Sequence, residues 1–213
     1  MFTGIIEEKG TLKSIQSDTQ SARLTIRAQT VLKDTKVGDS IATNGICLTV
    51  TDMTAETFTV DVMYETLRKS TLKHKRAGDT LNLERALTLK DRLGGHMMSG
   101  HVDGVGTLQS IRQEGIATVF TFKAQKALMR YVTDKGSIGI DGVSLTVASA
   151  QDTTFSVSVI PETKRETTLG GLTYGDEVNL EADMIAKYVE RLLKADDTEE
   201  TLDEGFLRRH GYL

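Results

Sequence analysis

The sequence predicts an all-β protein made of two tandem copies of one small barrel, followed by a C-terminal α-helix. Three observations carry this. The chain repeats itself at a nearly constant offset, and each copy pairs a two-residue hairpin signal with alternating strands. A single apolar stripe at helical spacing follows the second copy.

The repeat comes first because it fixes the organisation of everything else. Gly4, Gly10-Thr11-Leu12 and Ser14-Ile15 return as Gly100, Gly106-Thr107-Leu108 and Ser110-Ile111, an offset of 96. Asn44 to Val50 (NGICLTV) then matches Asp141 to Val147 (DGVSLTV) at an offset of 97, so one residue has been inserted between. The longer offset also pairs Glu65-Thr66 with Glu162-Thr163, Gly78-Asp79 with Gly175-Asp176, and Asn82-Leu83-Glu84 with Asn179-Leu180-Glu181. This places the copies at residues 1–96 and 97–183, with 184–213 as helix and tail, and marks Gly94-Gly95 as the hinge between them.

Asn44-Gly45 and Asp141-Gly142 are hairpin turns, because both central positions of a type I′ turn need positive φ. Period-2 strands follow at Thr57 to Val62 and Thr154 to Val159. Short helices are expected at Lys126 to Val132 and around Thr66 to Leu72 with its repeat partner. Many short strands at close spacing point to a small closed barrel, and pattern alone leaves an open sandwich as the alternative. Met184, Ile185, Tyr188, Val189, Leu192 and Leu193 form the helical stripe, with Asp183 at the N-cap. Asp197-Thr198-Glu199-Glu200 reads as a capping box opening a short amphipathic segment around Leu202, Phe206 and Leu207.

Composition excludes several function classes. Net charge is −4, and no basic stripe with stacking aromatics suggests a nucleic-acid partner. No apolar run approaches the roughly 20 residues of a membrane span. The first residues lack a basic n-region and apolar core, so no export signal is expected. Cys47 is the only cysteine, which fits a reducing cytoplasm, and with four scattered histidines it argues against structural zinc. Gly100, Gly104 and Gly106 have the wrong spacing for a nucleotide loop.

The strands after the hairpin turns are the best candidates for chemistry. Ile46, Leu48 and Val50 point to one side, Cys47 and Thr49 to the other. Val143, Leu145 and Val147 repeat the pattern with Ser144 and Thr146 outward. A solvated barrel face is the bland explanation, but the same small polar pair in both copies favours a pocket wall. His101, in Met98-Ser99-Gly100-His101, has Ile5 as its repeat partner. A histidine there suits proton transfer near neutral pH, although a lone histidine is more often structural. Lys135 and Asp183 read equally well as a loop lysine and a helix cap.

Met-Phe-Thr-Gly-Ile at the start, Asn44 to Val50, Gly94 to His101, Gly139 to Val147 and Ile160-Pro161-Glu162-Thr163 together resemble the riboflavin synthase family over residues 1 to about 194. The resemblance implies two six-stranded antiparallel β-barrels per chain, a C-terminal helix serving a homotrimer, and no cofactor or metal. It implies dismutation of two molecules of 6,7-dimethyl-8-ribityllumazine, one giving a four-carbon unit to the other, to form riboflavin and 5-amino-6-ribitylaminouracil. It further implies a reacting pair held between barrels of neighbouring subunits, and lumazine synthase as an expected partner.

Carried over by position, the first pocket resembles Gly4, Ile5, Ile6, Ser40, Cys47, Leu48, Thr49, Asp61, Val62, Met63, Tyr64, Glu65 and Thr66. The second resembles Gly100, His101, Val102, Lys135, Ser144, Leu145, Thr146, Ser158, Val159, Ile160, Pro161, Glu162 and Thr163. Met1 to Thr3, with Phe2 among the catalytic set, should lie near the reacting pair. His101 is the expected proton-transfer residue, assisted by Ser144, Thr146 and Asp183; Cys47, also in the catalytic set, is a nucleophile or a pocket wall, with the wall preferred. Lumazine proteins share the double barrel but bind one chromophore with a decayed second site; Phe2, Cys47, His101, Ser144 and Asp183 are all present here. The flavin barrel of ferredoxin-reductase-like enzymes needs an Arg-x-Tyr-Ser/Thr motif that the chain lacks.

Overall fold

The computed structural model describes residues 1–18 and 20–196, together with 208, 211 and 212. The first copy holds β1 (Glu8–Ser17), β2 (Ser21–Arg27), β3 (Ser40–Thr43), β4 (Ile46–Met53), β5 (Thr57–Met63), α1 (Tyr64–Lys69) and β6 (Thr80–Arg85). The second holds β7 (Gly104–Glu114), β8 (Ala117–Lys123), α2 (Lys126–Met129), β9 (Ser137–Ile140), β10 (Val143–Ala150), β11 (Thr154–Val159), α3 (Pro161–Glu166) and β12 (Glu177–Ala182). Each set closes on itself, in the order β1-β2-β5-β4-β3-β6 and its repeat equivalent. Closure rules out the open sandwich and, among the described residues, leaves neither sheet with an open edge.

Local chemistry explains the closure. Alternating residues such as Leu24, Ile26, Phe58 and Val60 fill one barrel, and Phe120, Phe122, Phe155 and Val157 the other. Bulges at Leu12/Ser14 and Val50/Asp52 bend the long strands and recur at Leu108/Ser110 and Val147/Ser149. The hairpin turns have the expected geometry, with φ of 45° and 77° at Asn44-Gly45 and 44° and 82° at Asp141-Gly142. The expected helix at Thr66 to Leu72 instead begins at Tyr64 and breaks at Ser70. Ser70 has extended backbone, and its hydroxyl accepts from Leu72 N to start a separate 3-10 turn. The helix at Lys126 stops at Met129, short of Val132.

Met1–Asp183 form one compact unit. Within it, repeat-equivalent residues meet each other, the signature of a pseudo-twofold axis. Phe2 N donates to Met98 O at 2.9 Å, and Met98 N returns to Phe2 O at 3.1 Å. The Asn82 amide donates to Asp141 O at 2.9 Å, and the Asn179 amide to Asn44 O at the same distance. Gly45 and Gly142 lie so close that a Cβ on either would sit 2.7 Å from the other's backbone nitrogen. Gly95, expected as a hinge, is also a close-approach glycine: a Cβ there would lie 2.1 Å from Thr3 O.

Asp141 breaks the symmetry in a testable way. It is 3% exposed, accepts from Asn179 N at 2.7 Å, and burial pushes its carboxyl up to about 7 against that hydrogen bond and the Lys75 charge. Asn44 makes the equivalent bond, to Asn82 N at 2.7 Å. The folded protein therefore keeps a proton that the unfolded chain releases near pH 4, so stability falls as pH rises from about 4 to 7 and then levels. At 1.36 kcal/mol per pKa unit the ceiling of this loss is about 4 kcal/mol. Asp141→Asn removes it, but the Asn44 amide nitrogen is buried without a partner, and a second one costs about 1–3 kcal/mol. Urea denaturation should find Asp141→Asn more stable than wild type by about 1–3 kcal/mol at pH 8 and no more stable at pH 5. Parallel pH profiles for the two proteins would contradict this.

The second unit, Met184–Leu213, begins with α4 (Met184–Asp196), as the stripe predicted. Ile185, Tyr188, Leu192 and Leu193 are each more than half exposed. The capping box at Asp197 and the segment around Leu202, Phe206 and Leu207 lie outside the described residues.

Candidate active site

The two hairpin strands carry the side chains as predicted. On β4, Ile46, Leu48 and Val50 are buried, Cys47 is half-buried and Thr49 is exposed. On β10, Val143 and Val147 are buried, Ser144 and Leu145 are half-buried and Thr146 is exposed. Ser40 lies opposite Thr49 across β3–β4, and Ser137, its repeat equivalent, lies opposite Thr146. Ser137 was absent from the sequence-derived set, though its pairing with Ser40 in the repeat would have supplied it.

The entry segments are dealt the other way round from the expectation. Gly4 O accepts from Ser144 N at 2.8 Å, and a Cβ on Gly4 would lie 2.5 Å from Ser144 Cβ. Gly100 O accepts from Cys47 N at 2.9 Å, and a Cβ there would lie 2.6 Å from Cys47 Cβ. Both glycines hold positive φ, 76° and 79°, which the close approach also requires. Ile6 packs on the second barrel's core and Val102 on the first's. Gly4–Ile6 thus completes the Ser144 strand and Gly100–Val102 the Cys47 strand, because the pseudo-twofold axis passes between the two segments.

The remaining predicted residues separate by orientation. Val62 and Val159 point into the barrel cores with Leu48, so only their backbones can face a ligand. Met63, Tyr64, Ser158, Ile160, Pro161 and Lys135 are exposed. Asp61 is held by Arg23 at 2.7 Å, which keeps its carboxyl below the usual range. Glu65 pairs with Lys69 and Arg68, and Glu162 with Arg165. The Thr66 and Thr163 carbonyls accept from Ser70 and Thr167 hydroxyls at the helix ends. Lys135 holds φ 65° where the first copy has Gly38, a conformation that costs a lysine about 1–2 kcal/mol. The Phe2 ring is 1% exposed, packed with Met98 and Ala42, so it shapes the site from behind rather than facing a ligand.

His101 is exposed, its backbone N donating to Ser99 Oγ at 3.2 Å, as Ile5 N does to Thr3 Oγ1. It belongs to the segment against Cys47, not to the Ser144 site. A different histidine stands at Ser144: His96 Nδ1 lies 2.7 Å from Ser144 Oγ, while its Nε2 is buried without a partner. Burial pushes the His96 imidazole below its ordinary pKa, opposed by the Asp183 charge, so the neutral ring is favoured. Gly95 lets the backbone close on Ser144, but that glycine marks the approach and not His96 itself. His96 has no repeat counterpart, so the two sites differ chemically where they match geometrically.

Lys9, Thr71, Lys75, Asp141, Lys164 and Thr168 line part of a cleft of about 680 Å³ that contains none of the predicted residues. It holds a repeat-equivalent pair of threonines, Thr71 and Thr168, but Thr71 N and Thr168 N are taken up by the Asn179 and Asn82 side chains in the contact between the two barrels. Among the described residues no cluster of His, Cys, Asp or Glu suits a metal ion.

A closed double barrel with two related, crosswise-built surfaces defines a duplicated β-barrel protein with two equivalent candidate sites per chain. Residues 3–86 and 99–183 match the lumazine binding domain family. The chain is 45% identical to the riboflavin synthases of Actinobacillus pleuropneumoniae and Bacillus subtilis over 100% of each chain. It is 47% identical to that of Mycobacterium tuberculosis over 92% of this chain and 99% of the relative. Crystal structures of LumP with 6,7-dimethyl-8-(1'-D-ribityl) lumazine and with riboflavin superpose with TM-scores of 0.77 and 0.79. Each is 26% identical and covers 85% of this chain and 99% of LumP. The chain belongs to the riboflavin synthase family of lumazine-binding double-barrel proteins.

Proposed function

We propose that the protein catalyses the dismutation of two 6,7-dimethyl-8-ribityllumazine molecules, one donating a four-carbon unit to the other, to give riboflavin and 5-amino-6-ribitylaminouracil. The observation that carries this reading is the pair of crosswise sites, one for each copy of a single substrate. Holding the two rings in register supplies much of the rate, since well-oriented reactants gain about 7–11 kcal/mol. His101 moves the proton of the C7 methyl, Ser144 and Thr146 hold polar atoms of the ring system, and Asp183 assists. The half-buried Cys47 serves as pocket wall.

The finer parts of the proposal are assembly and place. The exposed stripe of α4 is apolar enough to need a partner, which supports a homotrimer with reacting pairs between neighbouring subunits. No helix among the described residues is long and apolar enough to cross a membrane, and the lone cysteine is free, which supports work in the cytoplasm, with lumazine synthase as partner.

The test is to incubate the pure protein with 6,7-dimethyl-8-ribityllumazine alone, without metal or nicotinamide. One riboflavin should form for every two lumazines consumed, and sedimentation of the same sample should give a trimer. A yield near one riboflavin per lumazine consumed, or a demand for an added cofactor, would overturn the assignment; a fully active monomer would overturn the intersubunit site.

A further inference from the structure

Two buried carboxylates outside the predicted site residues occupy equivalent positions, Glu84 on β6 and Glu181 on β12, at 4% and 3% exposure. Glu84 accepts from Thr3 N at 2.6 Å, Thr3 Oγ1 at 2.7 Å and Gly4 N at 3.0 Å. Glu181 repeats this with Ser99 N at 2.6 Å, Ser99 Oγ at 2.7 Å and Gly100 N at 3.1 Å. A buried carboxylate is costly unless its lone pairs are filled, and the three donors fill them.

The direction of these bonds gives them a purpose. Each carboxylate holds the N–H side of a segment that starts its own barrel, leaving that segment's carbonyls to the other barrel. Gly4 O accepts from Ser144 N at 2.8 Å, while Gly100 O accepts from Cys47 N at 2.9 Å. A strand ladder would have taken up both sides of the segment; a carboxylate takes only one.

We propose that Glu84 and Glu181 are positioning residues that act crosswise, Glu84 setting the Ser144 site through Thr3-Gly4 and Glu181 setting the Cys47 site through Ser99-Gly100. That these are ligand sites rests on the function proposed above; the crosswise action does not.

Cys47, the only cysteine, supplies a probe that needs no turnover. Its labelling by an aromatic disulfide reagent is measured in the full-length protein at native pH and low urea. Glu181→Gln replaces one acceptor oxygen by a donor facing Gly100 N, and should raise the labelling rate by about tenfold through local lifting of the segment. Glu84→Gln, in the barrel that carries Cys47, should leave the rate within about twofold of wild type, because its segment touches the other strand. In a Cys47→Ser, Ser144→Cys protein the pattern should reverse, with Glu84→Gln the sensitive variant. Glu181→Asp, which keeps the charge but shortens the reach, should fall between wild type and Glu181→Gln.

Equal acceleration by both variants at either cysteine, or a rate that follows global unfolding in urea, would overturn crosswise positioning. So would unchanged labelling in Glu181→Gln. Protection of Cys47 by 6,7-dimethyl-8-ribityllumazine in the wild type is read separately. Loss of that protection alone would remove the ligand-site reading and leave the positioning result standing.

Discussion

Alanine in place of Phe2 is expected to destabilise the protein by about 3–5 kcal/mol and to abolish most of its activity. The side chain is 1% exposed and sits on the pseudo-twofold axis, bridged to Met98 by two backbone hydrogen bonds. Its ring also lies against Gly100, where an added Cβ would be 2.9 Å from it. Removing the ring leaves a cavity beneath the segment that closes the Cys47 strand, and the backbone bonds to Met98 cannot pull that segment in. Phe2→Leu keeps most of the apolar volume and should lose less than half as much. Urea denaturation gives the stability and the lumazine assay the activity. An unchanged urea midpoint for Phe2→Ala would mean that the axis is held by backbone pairing alone.

The parts of this fold that were legible in the sequence are those governed by local chemistry. Asn44-Gly45 and Asp141-Gly142 announce their turns because positive φ restricts the residues that tolerate it, and alternation along β4 and β10 follows from the pleat. The repeat located both barrels because a duplicated fold keeps its core positions in register. The segment exchange was not legible. Sequence proximity joins Gly4 to its own barrel, whereas a two-fold axis places it on the other, and no residue in Phe2-Thr3-Gly4 signals which strand it will meet. The axis is revealed by repeat equivalents that face each other, Phe2 with Met98 and Gly45 with Gly142, and that is a tertiary fact. His96 was hidden for a related reason. Its partner Ser144 lies 48 residues away, so its hydroxyl bond leaves no periodic trace. Ser137 was recoverable from the repeat by its match to Ser40, whereas Lys135 was named but its positive φ, in the place of Gly38, was not foreseen.

Replacing His101 with alanine should slow turnover by about 10²–10⁴-fold, the usual effect of losing a general acid–base group. The competing explanation is that His101 only supports its segment, and the duplication supplies the control. Ile5 occupies the equivalent position, exposed, with its backbone N held by Thr3 Oγ1 at 3.2 Å as His101 N is held by Ser99 Oγ. The fold therefore already tolerates isoleucine in this backbone setting, and His101→Ile should match the wild type in urea denaturation. If the histidine carries a proton, His101→Ile loses turnover as fully as His101→Ala while lumazine affinity changes by much less. If it only shapes the segment, isoleucine restores activity that alanine lost. Turnover and equilibrium binding measured on both variants separate the two outcomes, and wild-type turnover in His101→Ile would transfer the search for the proton carrier to the His96–Ser144 pair.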